Sequence, residues 1–312
     1  MRLLIAAVAG CAVLCGTAAR GADGAWAVDA DGLWSASGNW LGGVIPGGAG
    51  STAYFTNSVT IRRTVNVDQP VSVEALRFSS PANNNWRLIG DGPIELGGIA
   101  KPRLGSTVNQ RVEIFTPLSG TNGFVQETLA GDIELSGKNA GVSGIVEVKA
   151  YTVVQTMSKT AESTAGLVRD YFPTGGVIMG GARLELLGRK NGSALVSDWT
   201  LTEGSAVAAS AATNGTVQLA PGQLVTGGGL PEGTFIRQIL DGSNLVLSAS
   251  AAEGGVASLT FPAAGFRSEQ FLQRVRLDGA QDFRINRNGG TSFTAEVERV
   301  YGVANWALKA GD

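Results

Sequence analysis

The stretch TVNVDQPVSVEALRF, residues 64–78, alternates Val65 with Val67, Val71 with Val73 and Leu76 with Phe78. Alternation with period two puts apolar side chains on one face of an extended strand. The runs are short, and a polar or turn residue breaks each one. WRLIGDGPIELGG (86–98), GIVEVKAYTVV (144–154), TVQLAPGQLV (216–225) and NLVLSAS (244–250) repeat the pattern. Glycine separates them, at 45 of 312 residues, about twice the usual share. A chain written this way folds as many short strands joined by tight turns. Helical periodicity is scarce. The two helix candidates are Ser158–Tyr171 and a short piece at Arg267–Gln273, and neither is strongly amphipathic.

Two all-β architectures fit. In a parallel β-solenoid, each coil lends short strands to a continuous apolar column, and glycines occupy the corners. Backbone hydrogen bonds then run between coils, so stability accumulates along the axis. A β-sandwich is the alternative, because turn signals every 8–12 residues fit it as well. The solenoid is favoured by a loose internal repeat: PIELGG (93–98), DIELSG (132–137) and RLELLG (183–188), with VRLDG (275–279) as a weaker echo. Leu96, Leu135 and Leu186 lie 39 and then 51 residues apart, as coils with unequal loops would place them. The glutamate of each unit sits between apolar neighbours and should point outward. Glu95, Glu134 and Glu185 would form an outward column if their coils stack in register.

Residues 213–261 are denser in turns and read as a compact all-β insert. Its expected strands are TVQL, QLVTG, TFIRQI, NLVLS and ASLTF, with a hairpin at LDGSN (240–244). The organisation expected is a signal peptide at 1–19, a cap and coils at 20–212, the insert at 213–261, and further coils at 262–312.

The first residues, MRLLIAAVAGCAVLCGTAAR, have a basic start, an apolar core from Leu3 to Cys15 and small residues before a cut after Ala19. The apolar core is too short to span a bilayer. VAGC (8–11) also has the form of a lipoprotein box, with only a brief apolar stretch ahead of it. Both cysteines, Cys11 and Cys15, lie in this leader, so the mature chain would be an exported protein without disulfides. No later apolar run approaches the ~20 residues a membrane-spanning helix needs.

Chemistry is narrowed mostly by exclusion. The chain has no histidine, which removes His–zinc sites and Ser–His–Asp triads. Its net charge of −2 and pI near 5.4 offer no basic patch for nucleic acid. Glycine runs lack the Lys-Ser/Thr ending of a phosphate loop. DADG (29–32) begins like a calcium loop, but its further ligands are missing, so it reads as a solvated turn. Asp132, Lys138, Arg183 and Glu185 are acid–base candidates, yet no spacing groups them. The sequons at Asn191 and Asn214 add little. No catalytic residue, metal or cofactor is implied.

Half of the six tryptophans lie near the mature N-terminus: Trp26, Trp34 and Trp40, the last two in GLWSASGNWLGGVIPGGAGSTAYF (32–55). Trp34, Asn39 and Trp40 are the ligand-binding candidates, since flat aromatic faces stack on sugar rings. The competing reading makes them, with Pro46, a structural cap over the open end of the first coil, and this is the reading favoured here.

This stretch, followed by TVNVDQPVSVEALRF and WRLIGDGPIELGG, resembles the opening of bacterial autotransporter-associated β-strand repeat proteins, with a W-x-x-x-x-N-W-x-x-G-x-x-P start. NWALKAGD (305–312) is similar to the beginning of another such repeat, so the chain reads as cut in mid-repeat. GTFIRQILDGSNLVLSASAAEGGVASLTF is similar to a small β-module of such proteins and of phage fibres. The resemblance is good over about the first seventy mature residues and stylistic beyond. It implies a right-handed parallel β-helix, export, and display at the cell surface, outer membrane or beyond. The expected role is structural or adhesive and non-enzymatic, with surface polysaccharide or other cell-surface proteins as partners. The alternative is a secreted polysaccharide-active β-helix enzyme, a lyase or hydrolase. Such an enzyme would bring acidic residues and an Arg or Lys together in a groove, whereas a stalk would scatter its charges and have no cleft.

Overall fold

The computed structural model describes residues 21–98, 100–108, 110–127, 133–135, 139, 141–150, 153–155, 177–180, 183–187, 194–262, 267–278, 282–286, 292–303 and 308–311. For 148–150, 153–155, 177–180, 183–187 and the strands after 262, it describes the backbone path alone. The expected signal peptide, the helix candidate Ser158–Tyr171, and Asp132, Lys138 and Asn191 lie outside the described residues.

The body is a parallel β-solenoid. The first coil carries β1 (Gly24–Ala25) and β2 (Gly32–Leu33). Four coils with a strand on each of three faces follow. They are β3 (Thr52–Phe55), β4 (Arg63–Asn66) and β5 (Val71–Val73); β6 (Ala75–Phe78), β7 (Trp86–Ile89) and β8 (Ile94–Leu96); β9 (Arg103–Ser106), β10 (Val112–Ile114) and β11 (Leu118–Gly120); and β12 (Phe124–Glu127), β13 (Ile133–Leu135) and β14 (Gly141–Val142). The stack continues with β15 (Val146–Ala150) and β16 (Val153–Gln155), then β17 (Val177–Gly180) and β18 (Arg183–Leu187).

A separate antiparallel sheet interrupts the stack: β19 (Leu195–Leu201), β20 (Val207–Ser210), β21 (Ile236–Ile239), β22 (Asn244–Leu247) and β23 (Gly255–Phe261). The stack resumes with β24 (Arg267–Asp278), β25 (Asp282–Asn286), β26 (Ser292–Val303) and β27 (Leu308–Gly311). Among the described residues, faces one and two are nine-stranded sheets, face three is four-stranded, and the insert has the strand order β21-β22-β20-β19-β23.

The solenoid replaces the sandwich alternative, because every pairing in the three faces is parallel. The register explains the alternation in the sequence. On face two, Val65, Leu88, Ile114 and Leu135 stack one above another, all buried. On face one, the Phe55 and Phe78 rings stack 5.1 Å apart at 11°. Val67, Val73, Leu76, Ile94 and Leu96 complete the same core. Each such burial contributes roughly 1.5–3 kcal/mol. Corners need glycine where the next coil presses close. Gly90 has φ +117°, and a Cβ there would meet the Val67 carbonyl and the Asn66 side chain.

Three expectations change. Arg267–Gln273 belongs to strand β24, not a helix, because pairing along β26 decides its conformation. The glutamates of the repeat do not form one column. Glu95 lies on face three and is exposed, whereas Glu134 and Glu185 lie on face two with Val154 between them in register. Glu134 is also fully buried rather than solvated. Finally, the antiparallel sheet starts at Leu195 rather than Thr213, since β19 pairs along its whole length with β23. Within it TVQL is a turn, and QLVTG contributes only isolated bridges at Leu224 and Thr226. The LDGSN hairpin joins β21 to β22, with Asp241 Oδ1 accepting from the Ser243 and Asn244 amides at 2.7 Å each.

Candidate functional site

The aromatic stretch forms a plug. Trp26, Trp34 and Trp40 are buried to 2% exposure or less. Trp26 and Trp34 each lie 5.1 Å from Trp40, centroid to centroid, and all three gather around Phe55. Trp40 Nε1 donates to the Trp34 carbonyl at 2.7 Å. Asn39 Nδ2 donates to the Leu33 carbonyl at 2.9 Å, and Pro46 is buried. The chain through Trp40 and Gly47 bridges back in antiparallel fashion to Trp26 and Ala22, beside the first strand of the stack. A first strand with unpaired backbone groups invites edge-to-edge association, and this return segment covers it. With their faces packed in the core, Trp34 and Trp40 have no open surface for a sugar ring. The ligand candidates expected from the sequence are therefore brought together, but as packing.

A different site arises where the insert meets face two. Side chains at 64, 87 and 113 occupy one outward ladder, and those at 33, 66 and 89 a second. Arg87 is almost fully buried, and its Nε lies 2.6 Å from Glu113 Oε2. Its Nη1 donates to the Val217 carbonyl at 3.0 Å and to that of Thr216 at 3.4 Å. Its guanidinium carbon sits 4.8 Å from the Phe115 ring centroid, a cation–π distance. Arg62 Nη2 reaches the same Val217 carbonyl at 2.7 Å. At the corner, the Gly90 amide donates to the Ile239 carbonyl at 3.1 Å, and Gln238 Nε2 donates to the Gly90 carbonyl at 3.3 Å. Ile89 and Phe115, outward-facing residues of the solenoid, join the insert's own core around Trp199, Leu245 and Phe261. The insert is thus docked on coils three and four.

Beside the docked insert, the flank of coils one and two stays open. A cleft of about 460 Å³ results. Leu33, Thr64 and Asn66 form its floor, with Arg87 and Ile89 behind and the loops at 213–217 and 241–243 as a wall. The wall is braced internally. Thr216 Oγ1 donates to the Asp241 carbonyl at 2.7 Å, and Ser243 Oγ donates to the Ala212 carbonyl at 3.1 Å. The cleft holds two carboxylates. Asp31 Oδ1 accepts the Thr64 amide at 2.8 Å, so that oxygen ties coil one to coil two. Both oxygens of Asp241 serve its own turn, since Asn244 Nδ2 reaches them at 3.0 and 2.8 Å.

Nearby, Asp29 of the DADG turn accepts from Arg63 Nε at 2.7 Å and from Thr60. The Arg63 hydrogen bond, helped by those from Thr60, lowers its pKa to about 2. The DADG turn therefore bonds to the second coil. Among the described residues, no group of three or more His, Cys, Asp or Glu is placed to hold a metal.

Sequence reasoning missed this cleft. Its only local signal was the hairpin at 240–244, and its two sides come from stretches far apart in the chain, 31–89 and 213–243. Arg183 and Glu185 lie on β18, of which the backbone alone is described, and Asp132 and Lys138 lie outside the described residues. Comparison with protein-family models, curated proteins and solved structures gives no match.

Proposed function

We propose that the chain is an exported, surface-displayed β-solenoid with a structural and adhesive role, a passenger of the autotransporter-repeat kind, whose insert flank makes the contacts. One observation carries this reading: a rigid stack, plugged by three tryptophans at its first coil, holds a compact module against its side. A solenoid is stiff because each coil bonds to its neighbours, so a module on its flank is presented at a fixed angle. Support for export comes from the leader-like first nineteen residues and from the absence of cysteine after them.

The reading predicts that an antibody to the chain labels intact source cells, and that removing residues 194–262 abolishes attachment of the purified chain to the surfaces it binds. Labelling only after lysis would end the display reading.

A second reading, a polysaccharide-active enzyme, is favoured by the cleft, because it places Asp31 and Asp241 near Arg87. It is the weaker of the two. Asp241 is held by its own turn and Arg87 by Glu113, which leaves Asp31 without a second uncommitted carboxylate among the described residues of the cleft to share acid–base work. Release of reducing ends or unsaturated products from a polysaccharide panel, lost in Asp31→Asn, would reverse this ranking.

A further inference from the structure

We infer that the cleft between the insert and the first coils binds a neutral saccharide. The inference rests on the reading that the insert flank is the contact surface, and it names the ligand class.

The volume, about 460 Å³, falls in the range of roughly 300–1,000 Å³ found for small-ligand sites. The lining decides the chemistry. Thr64, Asn66 and Asn214 make no side-chain hydrogen bond to any described residue, and all three face the cleft. Asn66 lines the cleft beside Leu33, but its amide oxygen is turned to the Gly90 corner and shielded from water, so its amide nitrogen is the group left for a ligand. Asp31 keeps Oδ2 uncommitted. The site therefore offers the Asn66 amide nitrogen, the whole Asn214 amide, the Thr64 hydroxyl and one Asp31 carboxylate oxygen beside an aliphatic surface. Amides supply donor and acceptor together, and a hydroxyl does the same. Adjacent sugar hydroxyls match that mixture, and the C–H face of a pyranose matches the exposed Leu33 and Val217.

Other ligand classes fit less well. An anion would have to compete with Glu113 and two carbonyls for Arg87, which is only 1% exposed. A cation finds a single half-free carboxylate, since Asp241 is filled. A peptide adding as a strand needs a free strand edge, but at the outer edge of β2 the Leu33 carbonyl already accepts from Asn39 Nδ2 and the Ala36 amide.

The experiment uses the full chain on an array of neutral and acidic oligosaccharides, followed by calorimetric titration of whatever is retained. Asn66→Ala and Asn214→Ala serve as variants, with melting curves as the check on folding. We expect neutral oligosaccharides to be retained, and each variant to weaken them by about tenfold with an unchanged melting temperature. Asn214 lies in an exposed loop, so its variant stays informative if Asn66→Ala unfolds. Retention of acidic glycans alone, no glycan retained, or affinity unchanged in a folded variant would overturn the inference. Insert-dependent attachment that persists without glycan binding would reject the saccharide and leave the contact-surface reading standing. Loss of surface labelling would reject that reading by itself.

Discussion

Faces one and two of the solenoid both carry arginine–glutamate contacts between coils, and they treat them in opposite ways. On face one, Arg103 Nη1 lies 2.8 Å from Glu127 Oε1, and Arg77 approaches the same carboxylate across Gly105 at 3.5 Å. These side chains keep 50%, 26% and 34% of their surface in water, in the order Arg103, Glu127, Arg77. On face two, Arg87 and Glu113 keep 2% and 6%, while Arg62, at the rim and 3.4 Å from the same Glu113 oxygen, keeps 29%. The strands that carry both sets pair in parallel through the stack, with one register shift in β12 at Gln126/Glu127. What differs is the insert, which covers one flank and not the other. An exposed pair contributes about 0–1 kcal/mol, whereas breaking a buried one costs about 3–5 kcal/mol through the charge left behind. The outer ladder of a solenoid is therefore neutral ground, and a covering module turns it into a fixed joint.

The largest effect that tests this contrast is Glu113→Ala. It strands Arg87 under the insert and should cost about 3–5 kcal/mol in chemical denaturation. A loss below about 1 kcal/mol would put the buried pair in the same class as the exposed one. Trp34→Ala, which opens a cavity in the plug, gives the scale for a core defect at about 3–5 kcal/mol. If that variant keeps wild-type stability, the tryptophans are not a plug.

A sharper test removes both charges. Arg87→Met with Glu113→Leu eliminates the buried ions together, which elsewhere is neutral or stabilising by about 1–4 kcal/mol. Here the gain is opposed, because the Val217 carbonyl loses one donor and the Thr216 carbonyl its Arg87 contact, at about 1–3 kcal/mol for an unpaired group. The double variant should thus lie within about 2 kcal/mol of wild type, well above Glu113→Ala alone. A double variant as unstable as the single one would mean that the carbonyl contacts, not the ion pair, hold the insert.

The sequence carried the local half of this picture. Alternation placed Val65, Val67, Val73, Leu76 and Phe78 in the core because strand parity is a property of neighbouring residues. The Asp-Gly hairpin at 240–244 was legible for the same reason. Assigning strands to faces was not. Glu95 and Glu134 sit in matching IEL triplets, yet one is exposed on face three and the other buried on face two. Unequal corners between strands hide how many faces separate two similar stretches. LVSDWTL reads like any solenoid strand, and only its antiparallel partner at 255–261 places it in the insert. The cleft was the least legible part, since Asn66 and Asn214 meet only through docking.

Glu127→Ala belongs at the small end. It frees Arg77 and Arg103 into water and should cost under about 1 kcal/mol, with any loss reduced in 1 M salt. A loss as large as that of Glu113→Ala would show that exposure does not set the difference between the flanks.

The smallest effect concerns Asp29, exposed like Glu127 but bound more densely, to Arg63 Nε and to both the amide and hydroxyl of Thr60. Its folded pKa is lowered to about 2 from the ordinary 3.8, first by the Arg63 hydrogen bond. A depressed folded pKa means that the unfolded chain takes up the proton first as pH falls. The stabilisation is therefore complete above about pH 4 and disappears as pH falls through about 2. Asp29→Asn should be less stable than wild type by a constant amount at neutral pH, and the gap should close in melts taken between pH 4 and 2. An Asp29 carboxyl resonance titrating near 3.8 would mean that water competes successfully with Arg63 and Thr60. Dense hydrogen bonding would then fail to substitute for burial, and the cover supplied by the insert would be the sole means by which this solenoid makes a surface charge count.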